Sequence, residues 1–185
     1  MRRTSAIAAC IVTALALFGA LAGPASAVPA GFSPVVTCTS FTGTVTFAPG
    51  VTNKSHNTTM IVNGKISGCS NQGTSMPGTG TFNATLPGAA TCNAIQEMGN
   101  FNINWPGGFF NPTQGMVTIS GPNPKAGGNY MVSGSTTGGA FASAIMNSAY
   151  VITGTNKGAT CKAGHALTKQ NFTNTAPLQI ERNFG

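Results

Sequence analysis

The chain is 185 residues long with a formal net charge of +7, yet charged residues make up only 6% of it, against about 25% in ordinary soluble domains. Its acids are Glu97 and Glu181, and it has no aspartate, which excludes a clustered-carboxylate cation site and leaves a glycosidase a single acid pair to work with. Lys54, Lys65, Lys125, Lys157, Lys162, Lys169 and Arg182 are scattered without interleaved aromatics, which excludes the dense basic stripe of a nucleic-acid binder.

The first element is an address. Met1-Arg2-Arg3 is positive, the stretch from Ala6 to Ala22 is apolar apart from Thr13, and Gly23-Pro24 breaks any helix before Ala25-Ser26-Ala27. Charge, apolar core, breaker and small-x-small site occur in the order of a secretory signal. Cleavage is expected after Ala27, with Ala22 the weaker site. The apolar run falls short of the ~20 residues that a membrane span needs. No cysteine follows Leu21-Ala22-Gly23, as a lipoprotein would require, and Thr4-Ser5-Ala6 lacks the apolar residues of a twin-arginine signal. The reading is a signal-peptide helix over 1–27 and one mature domain over 28–185, with no integral membrane segment after cleavage. Losing Arg2 and Arg3 lowers the net charge from +7 to +5.

The mature chain reads as short strands. Residues 35–47 alternate, with Val45 and Phe47 on one face, and Pro49-Gly50 is expected to close the strand. A second strand covers 58–66, ending at Ser67-Gly68, and a third covers 79–86, ending at Pro87-Gly88. A short helix fits only around 93–98. Phe101-Asn102-Ile103-Asn104-Trp105 alternates strictly, the clearest strand signal in the chain. Residues 116–119 and 130–135 suit a hairpin around Gly121-Pro122-Asn123-Pro124. Residues 141–153 fit either period, and the β-branched end Val151-Ile152-Thr153 decides for strand. A short strand at 178–180 closes the sheet. Several short strands punctuated by Gly, Pro and Asn predict an all-β, antiparallel β-sandwich, with a barrel as the alternative. A membrane barrel would want aromatic girdles, which two tyrosines and one tryptophan do not supply.

Cys10 leaves with the signal, and Cys38, Cys69, Cys92 and Cys161 remain. An even set in an exported chain reads as two disulfides. Four cysteines allow three pairings, and sequential pairing, Cys38–Cys69 with Cys92–Cys161, is the simplest. No two lie close enough in sequence for the usual zinc spacing.

The search for chemistry finds little. There is no Gly-x-Ser-x-Gly elbow and no strand–Gly-rich–helix phosphate loop. His56, His165 and nearby Met60 could be imagined around copper(I), but lone loop histidines are ordinary polar surface. No catalytic residue, metal site or cofactor is assigned. The most suggestive stretch is 105–112, where Trp105, Phe109 and Phe110 flank Pro106-Gly107-Gly108. Exposed, these rings would form a recognition patch; Trp105, in a cleanly alternating strand, is expected in the core. Four Asn-x-Ser/Thr sequons begin at Asn53, Asn57, Asn83 and Asn171.

Cys38-Thr39-Ser40-Phe41-Thr42-Gly43 with Pro49-Gly50, Ile66-Ser67-Gly68-Cys69, Asn104-Trp105, Gly138-Gly139-Ala140-Phe141, and Cys161 with Gly164 occur in an order that resembles a group of small secreted actinobacterial proteins without assigned function. The resemblance implies an exported bacterial β-sandwich and transfers no activity. The expected role is a secreted or envelope-associated, non-enzymatic domain that binds a protein, a glycan or an envelope lipid. The alternatives are a secreted hydrolase using Glu97 or a histidine, and an inhibitor or toxin acting through the 105–112 loop.

Overall fold

The computed structural model describes residues 32–92, 94–122, 129–155 and 166–183; the expected signal segment and Cys161 lie outside them. The described chain forms β1 (Phe32–Val51), β2 (His56–Asn71), β3 (Thr74–Ala90), β4 (Ala94–Asn104), β5 (Thr113–Pro122), β6 (Asn129–Gly138), β7 (Ile145–Thr155) and β8 (Leu167–Asn183). Each strand pairs antiparallel with the next, and β8 returns to β1. The domain is therefore a closed barrel, the alternative to the preferred sandwich.

Inward-facing glycines account for the closure. At Gly43, Gly99 and Gly115, the place a Cβ would occupy is taken by backbone of an adjacent strand, at Asn63, Thr85 and Ser135 respectively. A side chain at these positions would hold the strands apart and flatten the sheet. Glycine lets it bend tightly enough to meet its own edge.

An eight-stranded barrel is just wide enough for side chains to fill, and here rings fill it. Phe101 stacks on Phe82 at 5.8 Å between centroids, Phe82 meets Phe41 at 5.1 Å, and Phe41 meets Phe172 at 4.9 Å. Phe172 then meets Tyr150 at 4.7 Å, which stacks on Tyr130 at 5.0 Å. This aromatic run ties β4, β3, β1, β8, β7 and β6 together through one core. The outward positions are mainly Thr, Asn and Ser, unlike the apolar band a membrane barrel turns to lipid. Among the described residues, no helix is long and apolar enough to cross a membrane.

Several local signals yielded to sheet pairing. The one stretch that a short helix fitted, 93–98, is strand from Ala94 onward, with alternating burial. Pairing with β5 supplies its hydrogen bonds, which a single isolated turn of helix could not match. The strand expected over 141–153 begins at Ile145, after a turn in which Ser143 has φ 63°. Pro49 and Pro87 do not end their strands. Pro49, after a cis peptide bond, sits where the β1–β8 register shifts between Thr46 and Val51. Pro87 lies where the β3–β4 ladder has already stopped at Thr85↔Asn100. Neither position asks proline for a ladder N–H. Gly68, at φ 60°, forms a bulge and β2 continues to Asn71.

Candidate functional site

The barrel has two ends. One carries the turn at 52–55 and residues 91–92; the other carries the 72–73 turn, the 105–112 loop and the 139–144 loop. The loop expected to carry recognition, 105–112, lies at this second end. Trp105 is 4% exposed and donates its indole N–H to Thr113 Oγ1 at 2.9 Å. Its ring meets Phe141 edge-on at 5.2 Å, and Phe110 meets the other side of Phe141 at 5.0 Å. Trp105 is therefore a core residue, withdrawn from any contact surface, and Phe110 is half-buried. Phe109 alone turns outward, at 55% exposed. Gly107 and Gly108, at φ 62° and 67°, supply the left-handed turn that lifts it.

The support beneath this loop is built from hydrogen bonds as well as rings. Thr136 Oγ1 accepts from the Ala144 N–H at 2.8 Å and donates to the Phe141 carbonyl. The guanidinium of Arg182 donates to the carbonyls of Ala140 and Ala142 at 3.5 and 3.3 Å. Phe141 is thereby held as the platform on which Trp105 and Phe110 rest.

The two acids do not meet. Glu181 pairs in register with Ile145, directly after the 139–144 loop, and its Oε2 accepts from Asn147 Nδ2 at 3.3 Å. Glu97 lies near the opposite end, shortly after residues 91–92, and points inward at 1% exposed. Its carboxyl occupies the space that a side chain on Gly88 would fill. Neither carboxyl oxygen has a hydrogen-bond partner, and burial holds its pKa above the ordinary carboxylate value. The acids thus cannot flank one glycosidic bond, as the two-carboxylate mechanism requires.

His56 stands in the 52–55 turn region with Nδ1 3.0 Å from the Lys54 carbonyl oxygen and Nε2 3.0 Å from that of Gly50. Both ring nitrogens are engaged with local backbone, so the ring serves the turn. Met60, considered with it as a soft-metal ligand, is fully buried in the core; His165 lies outside the described residues. Among the described residues no three His, Cys, Asp or Glu side chains gather around a common point.

Cys38 and Cys69 face each other in register on β1 and β2 and are disulfide-bonded. Cys92 is disulfide-bonded as well; its expected partner, Cys161, is outside the described residues. Among the described residues, open depressions mark the outer wall. One, of about 700 Å³, is lined by Ala48, Pro49, Asn57, Thr58, Pro87 and Gly88 among others. Another, of about 430 Å³, spans β3, β4 and β5 beside Asn83, Thr85, Asn100, Asn102 and Gln114. Comparison of the chain with family models, curated proteins and solved structures found no match.

Proposed function

We propose that this chain is a secreted or envelope-associated binding module, non-enzymatic and of the small exported actinobacterial type its sequence resembles, that engages its partner through the 105–112 loop. The observation that carries the reading is Phe109: a large ring 55% exposed on a loop braced from below by Trp105, Phe110 and Phe141. A rigidly mounted aromatic loses little entropy on contact and buries much area, which is how binding anchors work. The disulfide and the apolar, cleavable leader favour an oxidising, extracytoplasmic setting. The separation of Glu97 from Glu181 argues against a glycosidase that uses the two acids as a pair.

The test is fractionation and cross-linking of the producing cell with wild type and Phe109→Ala. Wild type is expected in the envelope fraction or in a cross-linked complex, and the variant in the soluble secreted fraction. Equal distribution of the two proteins would remove Phe109 as the anchor.

A further inference from the structure

A different face of the barrel carries an unusual row of side chains. In register, Asn63 on β2 stands opposite Asn83 on β3, Asn83 opposite Asn102 on β4, and Asn102 opposite Gln114 on β5. Four carboxamides therefore follow one another across four adjacent strands, all on the outer wall and all wholly or partly exposed. Three of them, Asn83, Asn102 and Gln114, border the 430 Å³ depression.

These amides are uncommitted. Asn104 donates to Thr81, Asn147 to Glu181, and Asn174 to the Thr39 and Ala176 carbonyls. Asn63, Asn83, Asn102 and Gln114 make no side-chain hydrogen bond within the protein. Each offers two donors and an acceptor. They are spaced by the inter-strand distance of about 4.8 Å, close to the advance per sugar unit in an extended glycan.

Charge selects the occupant. No outward position on β3, β4 or β5 among the described residues is charged, and exposed Lys65, two residues from Asn63 on the same face of β2, stands at the margin of the row, so the β3–β5 part offers no partner to phosphate headgroups, sulfate or a basic peptide. An uncharged ligand loses no ionic hydration on this face. A hydroxyl both donates and accepts, as a carboxamide does, so the two can bond in pairs. Beside the row, Met116 stands opposite Asn100 and is 45% exposed, an apolar surface for the C–H face of a sugar ring.

We propose that the row Asn63, Asn83, Asn102 and Gln114 is a binding site for a neutral, hydroxyl-rich glycan chain lying across the strands. The proposal rests on the binding-module reading but uses a face separate from Phe109. The site is a ladder of hydrogen bonds, one carboxamide per sugar, and its β3–β5 part carries no ion to hold a charged polymer.

The experiment is isothermal titration calorimetry of the mature, oxidised protein with neutral linear hexasaccharides of glucose, mannose and galactose, and with a hyaluronan hexasaccharide as the anionic control. Wild type is expected to bind at least one neutral probe and not hyaluronan. The double variant Asn83→Ala/Asn102→Ala should weaken that binding about tenfold or more. A second double variant, Asn63→Thr/Gln114→Thr, keeps β-propensity and should weaken binding in the same direction. Absence of binding to all three neutral probes by folded wild type overturns the proposal, as does undiminished affinity in both double variants. Because envelope association of Phe109→Ala is read separately, failure of the glycan site and failure of the Phe109 anchor give different results.

Discussion

Replacing Glu97 tests whether a buried, unpartnered acid weakens this barrel. Its carboxyl is 1% exposed, lies over Gly88, and has no hydrogen-bond partner on either oxygen. Leaving such a group unsatisfied costs about 1–3 kcal/mol. Glu97→Met removes both oxygens while retaining length to fill the space above Gly88. At about 2–4 °C per kcal/mol for a domain of this size, the stabilisation expected from the lost polar cost raises the melting temperature at neutral pH by roughly 2–12 °C.

The pH dependence gives a second, independent reading of the same residue. Burial raises the folded-state pKa of Glu97 above its ordinary 4.5. The unfolded chain therefore releases this proton first as pH rises. The contribution of Glu97 to stability is fully present below the unfolded value and is lost as pH rises toward the folded value. Wild type should gain stability relative to Glu97→Gln as pH is lowered from neutral through 4.5. The chain has only one other acidic side chain, so the difference between the two proteins isolates Glu97 well. Calorimetric melting at a series of pH values measures both effects. Destabilisation by Glu97→Met at neutral pH, or parallel pH profiles for wild type and Glu97→Gln, would refute the reasoning.

Reducing the Cys38–Cys69 bond, or replacing both residues by serine, should cost about 3–4 kcal/mol on the chain-entropy model for a loop of this length, read by urea denaturation; an unchanged midpoint would show that the β1–β2 hairpin is already ordered in the unfolded chain. Trp105→Ala should cost about 3–5 kcal/mol, whereas Phe109→Ala should stay within about 0.5 kcal/mol of wild type, a contrast that melting curves resolve directly. Burial pushes Tyr130 well above the ordinary phenol value, and burial together with neighbouring Tyr130 does the same for Tyr150. Since the unfolded chain loses these protons first, stability should fall as pH rises past about 10, and phenolate absorbance should appear only together with unfolding; reversible ionisation of either ring in the folded barrel would contradict its placement in the core.

Local chemistry accounts for much of what the sequence made legible. The expectation of an export segment, the reading of cysteines as disulfides and the inward alternation at Phe101, Ile103 and Trp105 rest on order, parity and a period of two, which need no tertiary information. The same alternation placed Trp105 in the core, where it lies. Phe109 and Phe110 were equivalent in sequence; only the turn at Gly107-Gly108 and the platform at Phe141 separate an exposed ring from a half-buried one.

What tertiary structure alone decided is closure and register. Gly43, Gly99 and Gly115 look like ordinary turn or breaker signals, and their role appears only when the backbone of an adjacent strand fills the space beside them. Pro49 and Pro87 read as strand ends because a ladder normally needs an N–H at each residue; in the barrel Pro49 falls at a register shift and Pro87 beyond the last pair of the β3–β4 ladder. Residues 94–98 showed no helix or strand preference strong enough to stand alone, and pairing with β5 made them strand, turning Glu97 inward without a partner. The row of Asn63, Asn83, Asn102 and Gln114 draws on four strands, so no window of sequence contains it. Strand chemistry is local and readable along the chain, whereas pairing partners and their alignment are set by contacts between distant residues, and it is those contacts that turned an all-β chain into this barrel and its outer face.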